Sequence, residues 1–381
     1  MFFEIVATLG IITLTIPAFL ALVENDIKRI IAYSTVSQMG YIVYSLGIGT
    51  VLGVAGALFH VINHALLKSM LFLAAGAVIY ATGTRNIREL GGLAYKMPIT
   101  AAAVLIGGLS VAGLPPLNGF ASKLLIYEAG FERAFHDPTF IGRLYLLYTV
   151  IAIFVGAVTL LYFMRLFYSV FLGMPSKLTE KAKDPPIAMK SSLILLMVIS
   201  VVFGIFPQIP VGFIVNPALT YMFPKAILPL NISYFGYSTN VGFYTATLLT
   251  IILLVTAGIS YTIYVSGKKL YEKVTLTPHV VRELHEFKYE VFTGGEYGGE
   301  LLPLEELKVT PEEFNYALKE SFSSLYSFSK EGGIEGVISY MFHEFLDKMK
   351  NLDIVKYVRV SSYVLIYVFF FATILFLALV M

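Results

Sequence analysis

The chain has no cysteine, and only 14% of its 381 residues are charged. Without a thiol, disulfides, thiolate metal sites and cysteine nucleophiles are excluded, and the redox compartment stays open. A soluble domain carries roughly 25% charged residues, so the shortage of charge argues against a water-exposed surface of ordinary composition. Excess charge of one sign is missing too. The formal net charge is +2, which carries no signal for nucleic acid, and the placement of the charges matters more than their sum. A basic stretch before the first apolar run is also lacking. Glu4 is the only early charge, so residues 2–23 read as a retained first span and not as a cleavable signal.

Apolar residues fill the space that charge leaves. Hydrophobic residues make up 57% of the chain, the mean hydropathy is +0.78, and several apolar runs approach the ~20 residues of a membrane-crossing helix. The fold class expected is an all-α polytopic membrane protein, because only hydrogen-bonded helices or closed barrels satisfy their backbone in lipid. Eight spans are expected: about 2–23, 30–49, 51–81, an interrupted 98–133, 142–172, 189–207, 241–266 and 357–381. Residues 267–356 between the last two are mostly polar.

Basic residues orient such a chain. Connections after odd-numbered spans hold Lys28, Arg29, Arg85, Arg88, Lys96, Lys177, Lys181, Lys183, Lys190 and those between 267 and 359, against only Arg133, Arg143 and Lys225 on the other side. The richer side is expected to be cytoplasmic, with 267–356 inside, both termini outside, and the cell membrane as the location. Lys68, Lys123 and Arg165 remain within spans.

The third span carries His60, His64 and Lys68. Spacing of i, i+4 and i+8 sets them on nearly one helix face over about 12 Å of axis. A charge at mid-bilayer costs at least about 2.5–3.5 kcal/mol, so such groups face a wet or protein-lined interior and mark an ion or proton path. Buried, hydrogen-bonded packing residues are the alternative, but three of them in one stripe would each need a dedicated partner.

In the fourth span, Gly113-Leu-Pro-Pro-Leu-Asn-Gly119 breaks the helix. Pro115 and Pro116 remove two backbone donors, while Gly113 and Gly119 let the chain turn. A break at membrane depth requires cover by protein or a water-filled cavity. Asn118 is placed to cap the restarted helix, with Lys123 in its first turns. Burial and the positive end of a half-helix both disfavour an ammonium there, which suits a lysine that accepts and releases a proton. Snorkelling of the Lys123 stem is the structural alternative. Lys28, beside Arg29, fits an orienting charge and a proton relay equally. Glu128 lies five positions past Lys123, about 140° around the helix, and is not expected to pair with it. Glu24 and Asp26 are expected to balance Lys28 and Arg29. GGLAYKMP (91–98) and TGGEYGGE (293–300) read as turns, not as phosphate-binding loops.

Thr310-Pro311-Glu312-Glu313 is a strong helix start. An amphipathic helix over 311–350 would run about 60 Å, as a strap along the membrane surface or across neighbouring subunits. A small cytoplasmic helical hairpin is the alternative.

Three runs in order carry a family resemblance: DIKRIIAYSTVSQMGYIVYSLGIG (26–49), HVINHALLKSMLFLAAGAVI (60–79) and GGLSVAGLPPLNGFASKLLI (107–126). They resemble the antiporter-like subunits of respiratory complex I, the L type above all, as well as the large subunits of Mrp-type cation/proton antiporters and of membrane-bound hydrogenase complexes. The resemblance implies two inverted five-helix repeats, each with a broken helix, and a mid-membrane axis of charged residues. On this sequence the axis falls at His60, His64, Lys68 and Lys123, with Lys28 as the lysine of the DIKR-type motif. Residues 1–172 would form one five-helix repeat, 173–266 two further spans, 267–356 a lateral segment and 357–381 an anchoring span.

The chain departs from that pattern in holding one repeat only. The first repeat, with its buried glutamate–lysine pair, would come from another chain. The implied function is a proton- or Na+/H+-translocating membrane subunit of a redox-driven complex, with charge passing along Lys123, Lys68, His64 and His60. Such a protein is not an enzyme by itself and binds no cofactor. Its implied partners are other membrane subunits, iron–sulfur redox subunits and the lipid bilayer, with no nucleic acid. The alternatives are a component of an Mrp-type antiporter and a non-conducting scaffold.

Overall fold

The structure, a computed structural model, describes residues 1–273 apart from 177, 181 and 226–229. The expected lateral helix at 311–350 and last span at 357–381 lie outside the described residues.

Helix α1 (Phe2–Val23) and helix α2 (Ile27–Gly47) are joined by a tight turn whose Asp26 carboxylate accepts from Lys28 N at 2.8 Å and Arg29 N at 3.2 Å. Those are two of the donors a helix start leaves unpaired. The two helices pack through small residues. Gly10 lies against the Tyr44 backbone, Gly40 against Leu14 and Gly47 against Ala7, too close for a methyl group at any of the three. Such contacts let helices associate in lipid, where apolar burial alone drives nothing. Helix α3 (Val51–Thr82) is capped by Thr50 on Gly53 N and ends at Gly83 with φ +75°. Its 32 residues span about 48 Å at 1.5 Å per residue.

The interrupted span resolves into α4 (Pro98–Ala112) and α5 (Asn118–His136). Pro98 sits in the first turn of α4, where its missing N–H costs nothing. The stop is Gly113, at φ +90°, with Gly113 N bonded to Ser110 O and Leu114 N to Leu109 O. This left-handed end satisfies the last carbonyls of α4. Helix α6 (Phe140–Phe167) runs on into a π turn at Tyr168–Leu172, and α7 is Ile187–Ile205.

Four described helices are long and apolar enough to cross a membrane: α1, α3, α6 with its π turn, and α7. Pro98–Ala112 and Ala246–Thr262 are shorter apolar stretches. The expected boundaries at 2–23, 51–81 and 189–207 agree with the observed helices to within two residues. The expected 241–266 span begins later, and its helix, Ala246–Lys273, continues into the stretch read as polar.

One expectation is corrected. The chain is not purely α-helical, because the connection after α7 folds into a three-stranded antiparallel sheet, β1 (Asn231–Ser233), β2 (Gly236–Ser238) and β3 (Phe243–Tyr244). Register pairs Asn231 with Ser238 and Tyr237 with Tyr244. Alternating polar and aromatic or β-branched residues suit a pleated, half-buried surface, and buried Tyr237 anchors the sheet by donating to Ala121 O at 2.8 Å.

Connections after α1, α3 and α6 meet at one end. Ile27 N bonds Arg85 O, Ile87 N bonds Asn25 O, and Ala94 N bonds Phe171 O. The buried Arg165 guanidinium donates to Glu24 O at 2.7 Å and Asn25 Oδ1 at 2.5 Å, tying α6 to the same turn. At the other end, Tyr145 donates to Gly47 O.

Candidate functional site

Helices α2, α3 and α5 bring most of the sequence-expected residues into one buried row. His60, His64 and Lys68 all face inward on α3, at 2%, 7% and 6% exposure, and Lys123 on α5 is 1% exposed. Membrane helices rarely bury four such side chains for packing alone, so their partners decide what the row can do.

His60 is held at both nitrogens: Nδ1 lies 2.9 Å from Ser122 Oγ, and Nε2 lies 3.0 Å from Gln38 Oε1. A carbonyl oxygen only accepts, so Nε2 carries the proton in the arrangement that satisfies both contacts, and Ser122 donates to Nδ1. The His64 ring is 6.4 Å from that of His60, and its Nε2 is buried with no protein hydrogen-bond partner among the described residues. Lys68 Nζ donates to Ser34 Oγ at 2.6 Å and Ile31 O at 3.3 Å. Lys123 Nζ donates to Ala112 O, at the last turn of α4, at 3.4 Å, and stands 4.4 Å above the Tyr41 ring. Tyr41 also lies 6.0 Å from the His60 ring, and its own hydroxyl is fixed on Ala152 O at 2.5 Å.

Neither buried lysine pairs with an acid among the described residues. Each is instead held by neutral oxygens and an aromatic face. Such surroundings tolerate both protonation states, because loss of the proton leaves no buried carboxylate without a counter-charge.

The order of the row differs from the expected one. Ser122 stands level with His60, and Lys68 lies eight residues further along α3, about 12 Å away along the axis. The row therefore runs Lys123, His60, His64, Lys68, whereas the order expected from the sequence sets Lys68 beside Lys123. Spacing on α3 gives the stripe but not which end meets α5. Lys28 stands apart, half-buried in the first turn of α2 and six residues before Ser34. Among the described residues its ammonium has no acidic partner.

The break is built by side chains as much as by Gly113, Pro115, Pro116 and Gly119. Asn118 does not cap its own helix. Its side chain donates to Asn63 Oδ1 at 3.1 Å and accepts from Ser110 Oγ at 2.6 Å, while Asn63 donates back to Asn118 O at 2.9 Å. The cap comes from the other half-helix: Ser110 Oγ accepts from Gly119 N at 3.0 Å. Gly119 is required because a methyl there would overlap the Ser110 carbonyl. Outside, Gly204 of α7 packs onto the Pro116 carbonyl with no room for a side chain. On the far side a cavity of about 270 Å³ opens against Gly113, Phe120, Lys123, Tyr127 and Gly156.

Gln38, Tyr41 and Ser34 were missed in the sequence. With Ser45 they form a polar stripe at 34, 38, 41 and 45 on α2, a helical period that would have marked the face opposing His60 and Lys68. Nothing local marks Ser110, Asn63 or Ser122. Glu128, as expected, does not meet Lys123; it accepts from the Thr239 hydroxyl at 3.0 Å. Glu24 does pair with Arg29, at 3.4 Å, whereas Asp26 spends its carboxylate on the α2 cap. Residues 91–98 turn as expected. No group of three or more histidine, aspartate or glutamate side chains is arranged to hold a metal ion among the described residues.

Comparison with known proteins places this geometry. Residues 2–144 match the family model described as NADH:quinone oxidoreductase/Mrp antiporter, transmembrane. A large component of a probable K(+)/H(+) antiporter of Rhizobium meliloti is 32% identical over 290 residues, covering 72% of this chain and 28% of that protein. Formate hydrogenlyase subunit 3 of Escherichia coli is 38% identical over 211 residues, covering 52% of this chain and 34% of that protein. This chain thus spans about a third of the length of the curated relatives it matches. Among solved structures, a chain of the membrane-bound sulfane sulfur reductase, an archaeal respiratory membrane complex, superposes over all of this chain and 56% of its own length, at TM-score 0.71 and 29% identity. Respiratory complex I from Thermus thermophilus superposes over 58% of this chain and 44% of the matched chain, at TM-score 0.51 and 24% identity, a likeness of fold. Over residues 2–144, therefore, the chain carries the transmembrane domain of the NADH:quinone oxidoreductase/Mrp antiporter family, and it resembles the antiporter-like membrane subunits of that family.

Proposed function

We propose that this chain is an ion-translocating membrane subunit, moving protons or exchanging them with sodium, within a multisubunit redox-driven respiratory complex. The observation that carries the reading is the buried row Lys123, His60, His64, Lys68, in which every fixed partner is a neutral oxygen or an aromatic ring. Charge entering at one member changes the proton affinity of the next by Coulomb coupling through a poorly screened interior. Lys123, at the break and beside the cavity, is the member with room to move. Lys68, held by Ser34 and Ile31, anchors the other end. Redox energy would reach the row from partner subunits, among them iron–sulfur subunits and a chain supplying the first five-helix repeat. In this reading residues 1–172 form one repeat, and the end where the 24–26, 83–97 and 173–186 connections meet is cytoplasmic, on the excess of lysine and arginine there.

A second reading, a component of an Mrp-type antiporter driven by an ion gradient, is favoured by the identity to the Rhizobium meliloti antiporter protein. Both are tested in native inverted membrane vesicles carrying Lys123→Gln. Proton uptake is expected to be lost while the complex still co-purifies in mild detergent; uptake at the wild-type rate overturns the conducting reading. Mass spectrometry of the co-purified chains separates the two. Iron–sulfur subunits support the redox-driven complex, and small membrane proteins alone support the antiporter.

A further inference from the structure

Glu128 has no part in the row, yet it is buried, at 8% exposure, in the helix that carries Lys123. It lies five residues beyond that lysine, about 7.5 Å along the axis. Among the described residues no lysine, arginine or histidine pairs with it. Tyr237 on β2 is the titratable side chain whose charge state responds to it, and no charged group among the described residues acts on it in turn. A buried carboxyl with no counter-charge is costly to keep ionised, so it binds a proton or needs donors that come and go.

Its one side-chain partner has the property required. The Thr239 hydroxyl lies 3.0 Å from Glu128 Oε2 and 3.1 Å from Gly242 O, and both contacts are oriented for donation. A hydroxyl has one proton to give. When Glu128 is ionised, the hydroxyl donates to it and Gly242 O is left with its bond from Thr239 N at 2.7 Å. When Glu128 is protonated, its own O–H donates to Thr239 Oγ1, and the hydroxyl turns to Gly242 O. Both states leave the carboxyl hydrogen-bonded, which an ordinary structural glutamate does not require. Backbone N–H groups of Val241 and Gly242 fix Thr239 Oγ1 in place at 3.2 and 2.9 Å. The position of Glu128 Oε1 against Gly242, 3.1 Å from where a side chain would begin, closes the turn over the carboxyl.

We propose that Glu128 is a further proton-binding site of this chain, with the Thr239 hydroxyl as the two-way donor that serves both of its protonation states. The turn at 239–242 roofs the site, and Tyr237, bonded to Ala121 O, ties the same sheet to the start of α5. A proton on Glu128 is thereby linked to the half-helix that carries Lys123. The role in transport rests on the conducting reading above; proton binding does not.

The test is difference infrared spectroscopy of the protonated-carboxyl band in the purified complex, titrated in pH, for wild type, Glu128→Gln and Thr239→Val. A titrating carboxyl band lost in Glu128→Gln is expected, as is one that persists to higher pH in Thr239→Val, where the donor to the ionised form is gone. No difference in that band between wild type and Glu128→Gln overturns the proposal, as does a Thr239→Val band that titrates like wild type. Should Glu128→Gln fail to assemble, Thr239→Val alone decides, since it keeps the carboxyl. Proton uptake in vesicles is then compared with Lys123→Gln. If Lys123→Gln abolishes uptake and Glu128→Gln leaves it at the wild-type rate, the link to transport fails while the conducting reading stands. If neither variant changes uptake, the conducting reading itself fails.

Discussion

Two buried lysines face the same interior and are held in opposite ways. Lys68, in the middle of an unbroken helix, makes a 2.6 Å bond to Ser34 and a second to the Ile31 carbonyl. Lys123, six residues after the break, has one 3.4 Å contact to Ala112 O, the Tyr41 ring face and a cavity of about 270 Å³ beside it. An intact helix satisfies its own carbonyls, so it can offer a lysine only a side chain and a long second bond. A broken helix leaves carbonyls and space. The difference suggests a division of labour, with a fixed charge site at Lys68 and a movable one at Lys123.

The largest expected effect separates those roles. Lys123→Gln should lower proton translocation on the order of a hundredfold or more, the scale of removing a positioned proton-transfer group, measured by dye quenching in inverted vesicles. Lys68→Gln should lower it as well. In addition, thermal unfolding of the complex should show a change in stability for Lys68→Gln and little for Lys123→Gln, because only Lys68 is tightly bonded. Equal stability effects would break the comparison.

Next in size is the cover on the break. A methyl at Gly204 would overlap the Pro116 carbonyl and stand 2.7 Å from Asn118 N, so Gly204→Leu should cost about 1–3 kcal/mol or more through overpacking. The checks are the melting temperature and the retention of α7 contacts in cross-linking. Ser34→Ala removes the short bond to Lys68 and leaves a buried ammonium short of an acceptor. A loss of about 1–3 kcal/mol is expected, and a stability equal to wild type would show that Lys68 is neutral in place.

Smaller effects sharpen the Lys123 side. Tyr41→Phe keeps the ring under the ammonium and loses one hydroxyl bond, whereas Tyr41→Leu loses the ring and with it about 0.5–2 kcal/mol of preference for the charged form. The pH profile of proton uptake should therefore move in Tyr41→Leu and stay in Tyr41→Phe. A shift of equal size in both would assign the effect to the Tyr41–Ala152 bond. Lys28→Ala, with no acidic partner among the described residues, should change stability by no more than about 0.5 kcal/mol.

What the sequence determined by itself was everything that periodicity and chain chemistry fix locally. Apolar run length set the helices, since a membrane admits little else. The i, i+4, i+8 spacing put His60, His64 and Lys68 on one face, and two prolines between two glycines located the break to the residue. Each of these follows from bonds within one segment. Tertiary structure decided which end of α3 meets α5, and so the order of the row, because a stripe on one helix has no direction until a second helix docks. It also decided that Ser110, and not Asn118, caps the restarted helix, that Gly204 seals the break, and that residues 231–244 form a sheet over Glu128. These depend on residues far apart in the chain meeting in space, and hydroxyl and amide side chains such as Ser122, Asn63 and Thr239 carry no local mark of which partner they will find.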